Sequence, residues 1–80
     1  MKDYYSILRI PRDASSELVR KAYRQLAKEF HPDLSERANP EERFILLREA
    51  YEILYDEGTR AEYDRAYDVF FGIDEFNYRE

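Results

Sequence analysis

Apolar residues recur every three or four positions along most of this chain, which is the spacing of amphipathic helices. From Ser15 or Ser16 to about Phe30, the apolar residues fall within one half of the helical circumference. A second periodic segment follows the run Asn-Pro-Glu-Glu at 39–42, a strong helix start with an N-cap residue, an N1 proline and an N3 acid. No useful period-two alternation occurs, so strands are not expected. The pattern predicts an all-α fold.

Two shorter helices complete the predicted set. Asp3 is a suitable N-cap for a first helix over Tyr4–Arg9, which Ile10-Pro11 is expected to stop. The helix that begins at 39–42 is expected to run to about Asp56, with a C-terminal stop at Gly58.

A fourth helix is predicted over Thr59–Tyr67. About nine residues separate the two long helices, and a connection of that length suits an antiparallel hairpin. We therefore predict an all-α domain over residues 1–67, in which an antiparallel two-helix hairpin is flanked by short N-terminal and C-terminal helices. An acidic, aromatic tail is predicted over 68–80.

The distribution of charge separates two parts of the chain. The net charge is −5, but residues 9–28 hold six basic and two acidic residues, whereas residues 56–80 hold eight acidic and three basic ones. On the predicted second helix the basic side chains fall in a sector of roughly 100°: Arg20, Lys21, Arg24 and Lys28. A basic helical face therefore coexists with an acidic C-terminal part.

The tripeptide His31-Pro32-Asp33 lies where this basic helix must end. Pro32 lacks an N–H and disfavours helical geometry at the preceding residue, so the helix is expected to stop near His31. The turn then holds an imidazole and a carboxylate close to the end of the basic face. Such an arrangement suits recognition of a partner better than catalysis.

Four segments of the chain resemble the J-domain of the DnaJ co-chaperone family. The first is Asp-Tyr-Tyr-Ser-Ile-Leu at 3–8, and the second is Lys-Ala-Tyr-Arg-Gln-Leu-Ala at 21–27 followed by Phe30 and the His-Pro-Asp turn. The third is Phe44 with Glu-Ala-Tyr-Glu-Ile-Leu at 49–54, and the fourth is Arg-Ala-Glu-Tyr-Asp at 60–64. Arg9 occupies a position where glycine is common in the family, and Gln25 one where many members carry a second base.

The resemblance implies a partner and a mechanism. J-domains bind the ATP-bound form of a DnaK-type chaperone ATPase of the heat-shock protein 70 class and accelerate its ATP hydrolysis, which promotes client capture in protein folding. By position, Arg20, Tyr23 and Arg24 are expected to contact the partner, with Lys28 a further candidate. Tyr23 lies at the edge of the apolar half of the helix, so partial core packing is an equal alternative for it. His31, Pro32 and Asp33 are expected to form the switch contact, bordered by Phe44.

Three other functional classes are possible for a small helical domain: a nucleic-acid binder, an enzyme and a scaffold. A nucleic-acid binder is disfavoured by the overall acidity and by the lack of a second basic element. An enzyme is disfavoured because no nucleophile–base pair, phosphate-binding glycine loop or metal cluster is visible, so no catalytic residue, cofactor or metal is expected. A J-like scaffold for a non-chaperone partner is the stronger alternative. We expect a monomer without a membrane segment, located in the cytoplasm.

The predicted tail mixes aromatic with acidic side chains. It is expected either to pack only locally or to fold back on the second helix, where it would compete for Arg20, Lys21 and Arg24 and damp activity.

Overall fold

The computed structural model describes residues 1–31 and 40–71, and most of these residues belong to four helices. Helix α1 spans Tyr4–Leu8, α2 spans Ser16–Glu29, α3 spans Pro40–Tyr55 and α4 spans Glu57–Phe70. These two stretches contain no strand, so the prediction of an all-α fold is confirmed. None of the four helices has the length and apolarity needed to span a bilayer.

Helix α1 begins where the sequence predicts and ends slightly earlier. The Asp3 carboxylate accepts a hydrogen bond from the Ser6 N–H at 3.2 Å, which caps the first turn. The helix ends at Leu8 because Arg9 adopts the left-handed conformation, with φ 59°. The predicted end at Arg9 is one residue late, because the left-handed Arg9 and not Ile10-Pro11 ends the helix.

Helix α2 is capped by Ser15 and not by Ser16. The Ser15 hydroxyl accepts a hydrogen bond from the Leu18 N–H at 3.1 Å, and Ser16 is the first helical residue. The helix ends at Glu29 and Phe30 is its C-cap, close to the predicted end. Val19 is completely buried, so this face of α2 forms part of the core.

The junction between α3 and α4 differs from the prediction. The expected stop at Gly58 was wrong, because α3 ends at Tyr55 and Gly58 is the second residue of α4. Asp56 alone separates the helices, and its carboxylate caps α4 by accepting from the Thr59 N–H at 3.0 Å. The Thr59 hydroxyl donates to the Ile53 carbonyl at 2.8 Å, which satisfies one of the carbonyls left open at the end of α3.

Helix α4 is longer than predicted at both ends. It begins at Glu57 and continues through Phe70, whereas the sequence predicted Thr59–Tyr67. Residues 68–70, assigned to the tail, are therefore helical. Phe71 is the C-cap of α4, and the rest of the predicted tail, residues 72–80, lies outside the described residues.

Helices α2 and α3 form the predicted antiparallel hairpin. Tyr23 in the first half of α2 stacks on Tyr51 in the second half of α3, whereas His31 after α2 touches Phe44 near the start of α3. Helix α1 packs against both, and α4 packs on α3. The buried apolar residues of the described part form one cluster: Tyr5, Leu8, Ala14, Val19, Leu26, Phe30, Leu47, Ala50, Leu54 and Tyr63.

Tyrosine hydroxyls connect α1 to α4. The Tyr63 hydroxyl accepts from the Tyr4 N–H at 2.9 Å and donates to the Lys2 carbonyl at 2.7 Å. The Tyr5 hydroxyl donates to Asp64 Oδ1 at 2.5 Å and accepts from Arg60 Nε at 3.1 Å. Burial, followed by the hydrogen bond to Asp64, raises the pKa of Tyr5 to about 12. These contacts fix the short first helix against the last one.

Candidate partner-binding surface

Four exposed cations lie on the side of α2 that faces away from the core. At about 100° per residue they occupy a sector of about 100°, and the buried residues of the helix lie on the other side. Three of them line one shallow depression together with the exposed side chain of Leu18. We call this set the basic face: Arg20, Lys21, Arg24 and Lys28.

The basic face is largely without internal counter-charges. Arg20 Nη2 lies 3.7 Å from Glu17 Oε2, and both side chains are exposed, so the pair contributes little. Lys21, Arg24 and Lys28 have no carboxylate within 4.0 Å among residues 1–31 and 40–71. This face therefore presents positive charge to solvent, where it attracts an acidic partner over about one Debye length.

His31 connects the end of α2 to the first turns of α3. Its imidazole is half-buried and meets the Phe44 ring edge-on, with ring centroids 5.6 Å apart and planes at 67°. Phe44 is itself half-buried next to His31. Pro32 and Asp33 lie outside the described residues, so only the first residue of the tripeptide is placed here.

Tyr23 belongs partly to the core and partly to the surface. Its ring stacks on Tyr51, with centroids 4.4 Å apart and planes at 17°, and both rings are half-buried against the core cluster. The sequence left core packing and partner contact open for Tyr23. The packing contact is present, and the rest of the ring stays accessible beside the basic face.

Tyr55 is an aromatic residue of this region that was not singled out from the sequence. Its ring stacks on Tyr51, with centroids 5.1 Å apart and planes at 27°, and the residue is 44% exposed. The spacing of Tyr51 and Tyr55, four positions apart on one helix, was the available signal, because such residues lie on the same face.

Asp64, by contrast, has a structural role within the fold. It accepts the Tyr5 hydrogen bond, and its carboxylate lies 3.8 Å from Arg12 Nε and 3.9 Å from Arg60 Nε.

The chemistry available on this surface is that of recognition. It offers guanidinium and ammonium groups, stacked aromatic rings and one imidazole. Across residues 1–31 and 40–71, no cluster of three or more His, Cys, Asp or Glu side chains is arranged to hold a metal ion.

Comparison with known proteins identifies similar chains. The DnaJ domain family matches residues 3–64. The Chaperone protein DnaJ of Hydrogenobacter thermophilus is 50% identical over 80 residues, which is all of this chain and 22% of that protein. The Chaperone protein DnaJ of a Cyanothece species is 52% identical over 64 residues, or 80% of this chain and 17% of that protein.

A solved structure has a similar fold. The crystal structure of ERdj5 form II superimposes with a TM-score of 0.75 at 35% sequence identity, covering 85% of this chain and 9% of that one. The chain thus spans less than a quarter of the length of each of these three proteins.

Proposed function

Because the chain belongs to the DnaJ domain family, we propose that it binds a DnaK-type ATPase of the heat-shock protein 70 class and stimulates its ATP hydrolysis. The resemblance drawn from the four sequence segments is confirmed by the match over residues 3–64. The chain would act as a co-chaperone and carry out no chemistry itself. The monomeric state and the cytoplasmic location expected from the sequence stay predictions.

The observation that best supports this proposal is the solvent-facing charge of α2. Arg24 and Lys28 have no carboxylate partner among the described residues and lie in the segment that the family match covers. Opposite charges accelerate encounter and set orientation more than they add affinity. The basic face would therefore dock on an acidic surface of the ATPase.

Docking alone does not change the rate of hydrolysis, so a second contact is required. A bound protein shifts the partner's conformational equilibrium only by its differential affinity for the two states. The family resemblance assigns that contact to His31, Pro32 and Asp33, with the Asp33 carboxylate paired to an arginine of the partner. Such charge-assisted pairs are short and directional, which suits a contact made in one conformation only.

Single-turnover ATP hydrolysis by a DnaK-type chaperone, measured with and without this chain, tests the function. We expect the wild-type chain to accelerate hydrolysis, and Asp33→Asn to abolish the acceleration while its far-UV circular dichroism stays that of wild type. A wild-type chain without effect would refute the function. Full stimulation by Asp33→Asn would refute the role assigned to the carboxylate.

The docking role of the basic face needs its own pair of variants. Arg24→Ala is expected to raise the concentration for half-maximal stimulation by roughly two- to five-fold, the range for a charge near the surface. Arg65→Ala removes the same exposed group from α4, which does not pack on α2, and is expected to leave that concentration unchanged. Equal effects of both variants would indicate a general response to net charge and not a docking face.

A further inference from the structure

Six of the seven tyrosines in the described residues fall into two groups that differ in what their hydroxyls bind; the seventh, Tyr67, packs on the α1–α4 side and makes no hydroxyl hydrogen bond with a described residue. On the α1–α4 side, the hydroxyls of Tyr4, Tyr5 and Tyr63 all make hydrogen bonds within the chain. On the hairpin side, the hydroxyls of Tyr23, Tyr51 and Tyr55 make none with any residue in the described stretches. The second group, which we call the tyrosine seam, therefore keeps its polar ends available to another molecule.

The tyrosine seam is a continuous stack that crosses the hairpin. It starts at Tyr23 on α2, passes to Tyr51 on α3 and ends at Tyr55 in the last turn of α3. Exposure increases toward its end, because Tyr23 and Tyr51 are half-buried whereas Tyr55 is 44% exposed. Stacking restricts the rings before any partner arrives, which reduces the entropy lost on binding.

Helical geometry places the seam beside the basic face. At about 100° per residue, Arg20 is offset from Tyr23 by about 60° around α2, on the side away from the buried residues. On α3, Phe44 falls between Tyr51 and Tyr55, which differ by about 40°. Since Phe44 touches His31, this side of the hairpin runs from His31 and Phe44, past Tyr23 and Tyr51, to Tyr55.

The chain itself illustrates what such a combination binds. Tyr5 and Arg60 together hold the Asp64 carboxylate, the tyrosine as a donor at 2.5 Å and the arginine at 3.9 Å. A tyrosine hydroxyl next to a guanidinium is thus a carboxylate-binding pair in this molecule. The seam and the basic face offer the same two groups on the surface, without an internal carboxylate for Arg24 among the described residues.

We propose that Tyr55 is a partner-contact residue that extends the docking surface to the last turn of α3, where its hydroxyl donates to a carboxylate on the acidic surface of the DnaK-type ATPase. This inference rests on the proposed function and adds to it a contact on the opposite end of the hairpin from His31. Tyrosine suits this position because one face of its ring packs against the protein while its hydroxyl stays exposed to solvent. Tyrosines are also enriched among the residues that contribute most to protein interfaces.

Two substitutions at Tyr55 test the proposal in the single-turnover ATPase assay. Tyr55→Phe removes only the hydroxyl and is expected to raise the concentration for half-maximal stimulation about two- to four-fold. Tyr55→Ala also removes the ring and is expected to raise it about three- to ten-fold. The rate at saturation is expected to stay at the wild-type value in both variants, because the His31–Asp33 tripeptide is intact.

The matched control is Val69→Ala, which truncates an apolar side chain that is 82% exposed on α4. It is expected to leave the half-maximal concentration unchanged. Urea unfolding checks the stability of each variant, and Tyr55→Phe decides the case if Tyr55→Ala unfolds too easily. A wild-type half-maximal concentration for Tyr55→Phe would overturn the proposed hydroxyl contact, whatever the result for Tyr55→Ala.

Two further outcomes separate this proposal from others. If sedimentation shows that wild-type chain self-associates and that Tyr55→Ala abolishes this, Tyr55 contacts a second copy and the proposal is refuted. If wild-type chain fails to stimulate hydrolysis at all, the proposed function fails, and the contact proposed for Tyr55 fails with it. If the wild-type chain stimulates hydrolysis and neither Tyr55 variant changes the half-maximal concentration, only the contact proposed for Tyr55 is refuted.

Discussion

Tyr5→Phe removes a single oxygen atom from the contact between α1 and α4. Tyr5 is 3% exposed, and its hydroxyl lies 2.5 Å from Asp64 Oδ1 and 3.1 Å from Arg60 Nε. The ring itself stays in place in the variant, so its packing against Tyr63 and Tyr67 is retained. The loss of stability in Tyr5→Phe therefore measures the contribution of the hydroxyl's hydrogen bonds, because the packing of the aromatic core is unchanged.

The expected cost follows from the groups that remain. A hydrogen bond to a charged group contributes about 1.5–3 kcal/mol. In the variant, the Asp64 carboxylate keeps two ion-pair partners, Arg12 Nε at 3.8 Å and Arg60 Nε at 3.9 Å. Its side chain is also 26% exposed, so the carboxylate is not left buried without a partner. We therefore expect a decrease of about 1.5–2 kcal/mol in the free energy of unfolding, the lower part of that range.

Urea unfolding followed by far-UV circular dichroism measures this decrease. The midpoint is expected to fall while the slope with urea stays the same, because the surface exposed on unfolding does not change. Tyr55→Phe is the matched control, since its hydroxyl has no hydrogen-bond partner within the described part of the chain, and it is expected to retain wild-type stability. Equal stability of Tyr5→Phe and Tyr55→Phe would show that the hydrogen bonds of the Tyr5 hydroxyl do not stabilise the fold.

Two further predictions concern stability. The pKa of Tyr5 is raised from 10.0 to about 12, so the unfolded chain loses the Tyr5 proton at a lower pH than the folded chain does. The free energy of unfolding therefore falls as the pH rises from 10.0 to about 12. Below pH 10.0 the contribution of the protonated Tyr5 hydroxyl to stability is complete. Urea titrations across this range are expected to show a steeper fall for wild type than for Tyr5→Phe, and equal slopes would contradict the assignment. Arg9→Gly is expected to raise the free energy of unfolding by about 0.5–1 kcal/mol, because φ is 59° there and glycine adopts the left-handed region without a steric penalty. Its 4.0 Å pair with Glu29 is exposed and contributes little; Arg9→Ala is the control, and equal stabilisation by alanine would argue against backbone strain.

Local capping chemistry explains why most helix starts were predictable and why the expected stop at Gly58 was wrong. Asp3 and Ser15 cap α1 and α2 as their sequence positions indicate, since each side-chain oxygen reaches an N–H of its own first turn. Gly58 has the residue type of a C-terminal stop, but Asp56 and Thr59 form a capping pair around it. That competing helix start incorporates the glycine into α4.

The basic face was predictable because it depends only on helical periodicity. Arg20 and Arg24 lie on the exposed side of α2 as their spacing requires. The tyrosine seam was not predictable from the sequence, because it depends on the register between two helices. Only packing of α2 against α3 brings Tyr23 onto Tyr51, and no local pattern encodes that register.

One side of the α2–α3 hairpin is the proposed partner-binding surface. Titrating the isotope-labelled chain with ATP-bound DnaK-type chaperone, and recording amide chemical shifts by nuclear magnetic resonance, tests this directly. We expect perturbations to cluster at Arg20, Arg24, His31 and Tyr55, and residues 60–70 of α4 to be largely unaffected. Perturbations confined to α4, with the amides of α2 unchanged, would contradict it.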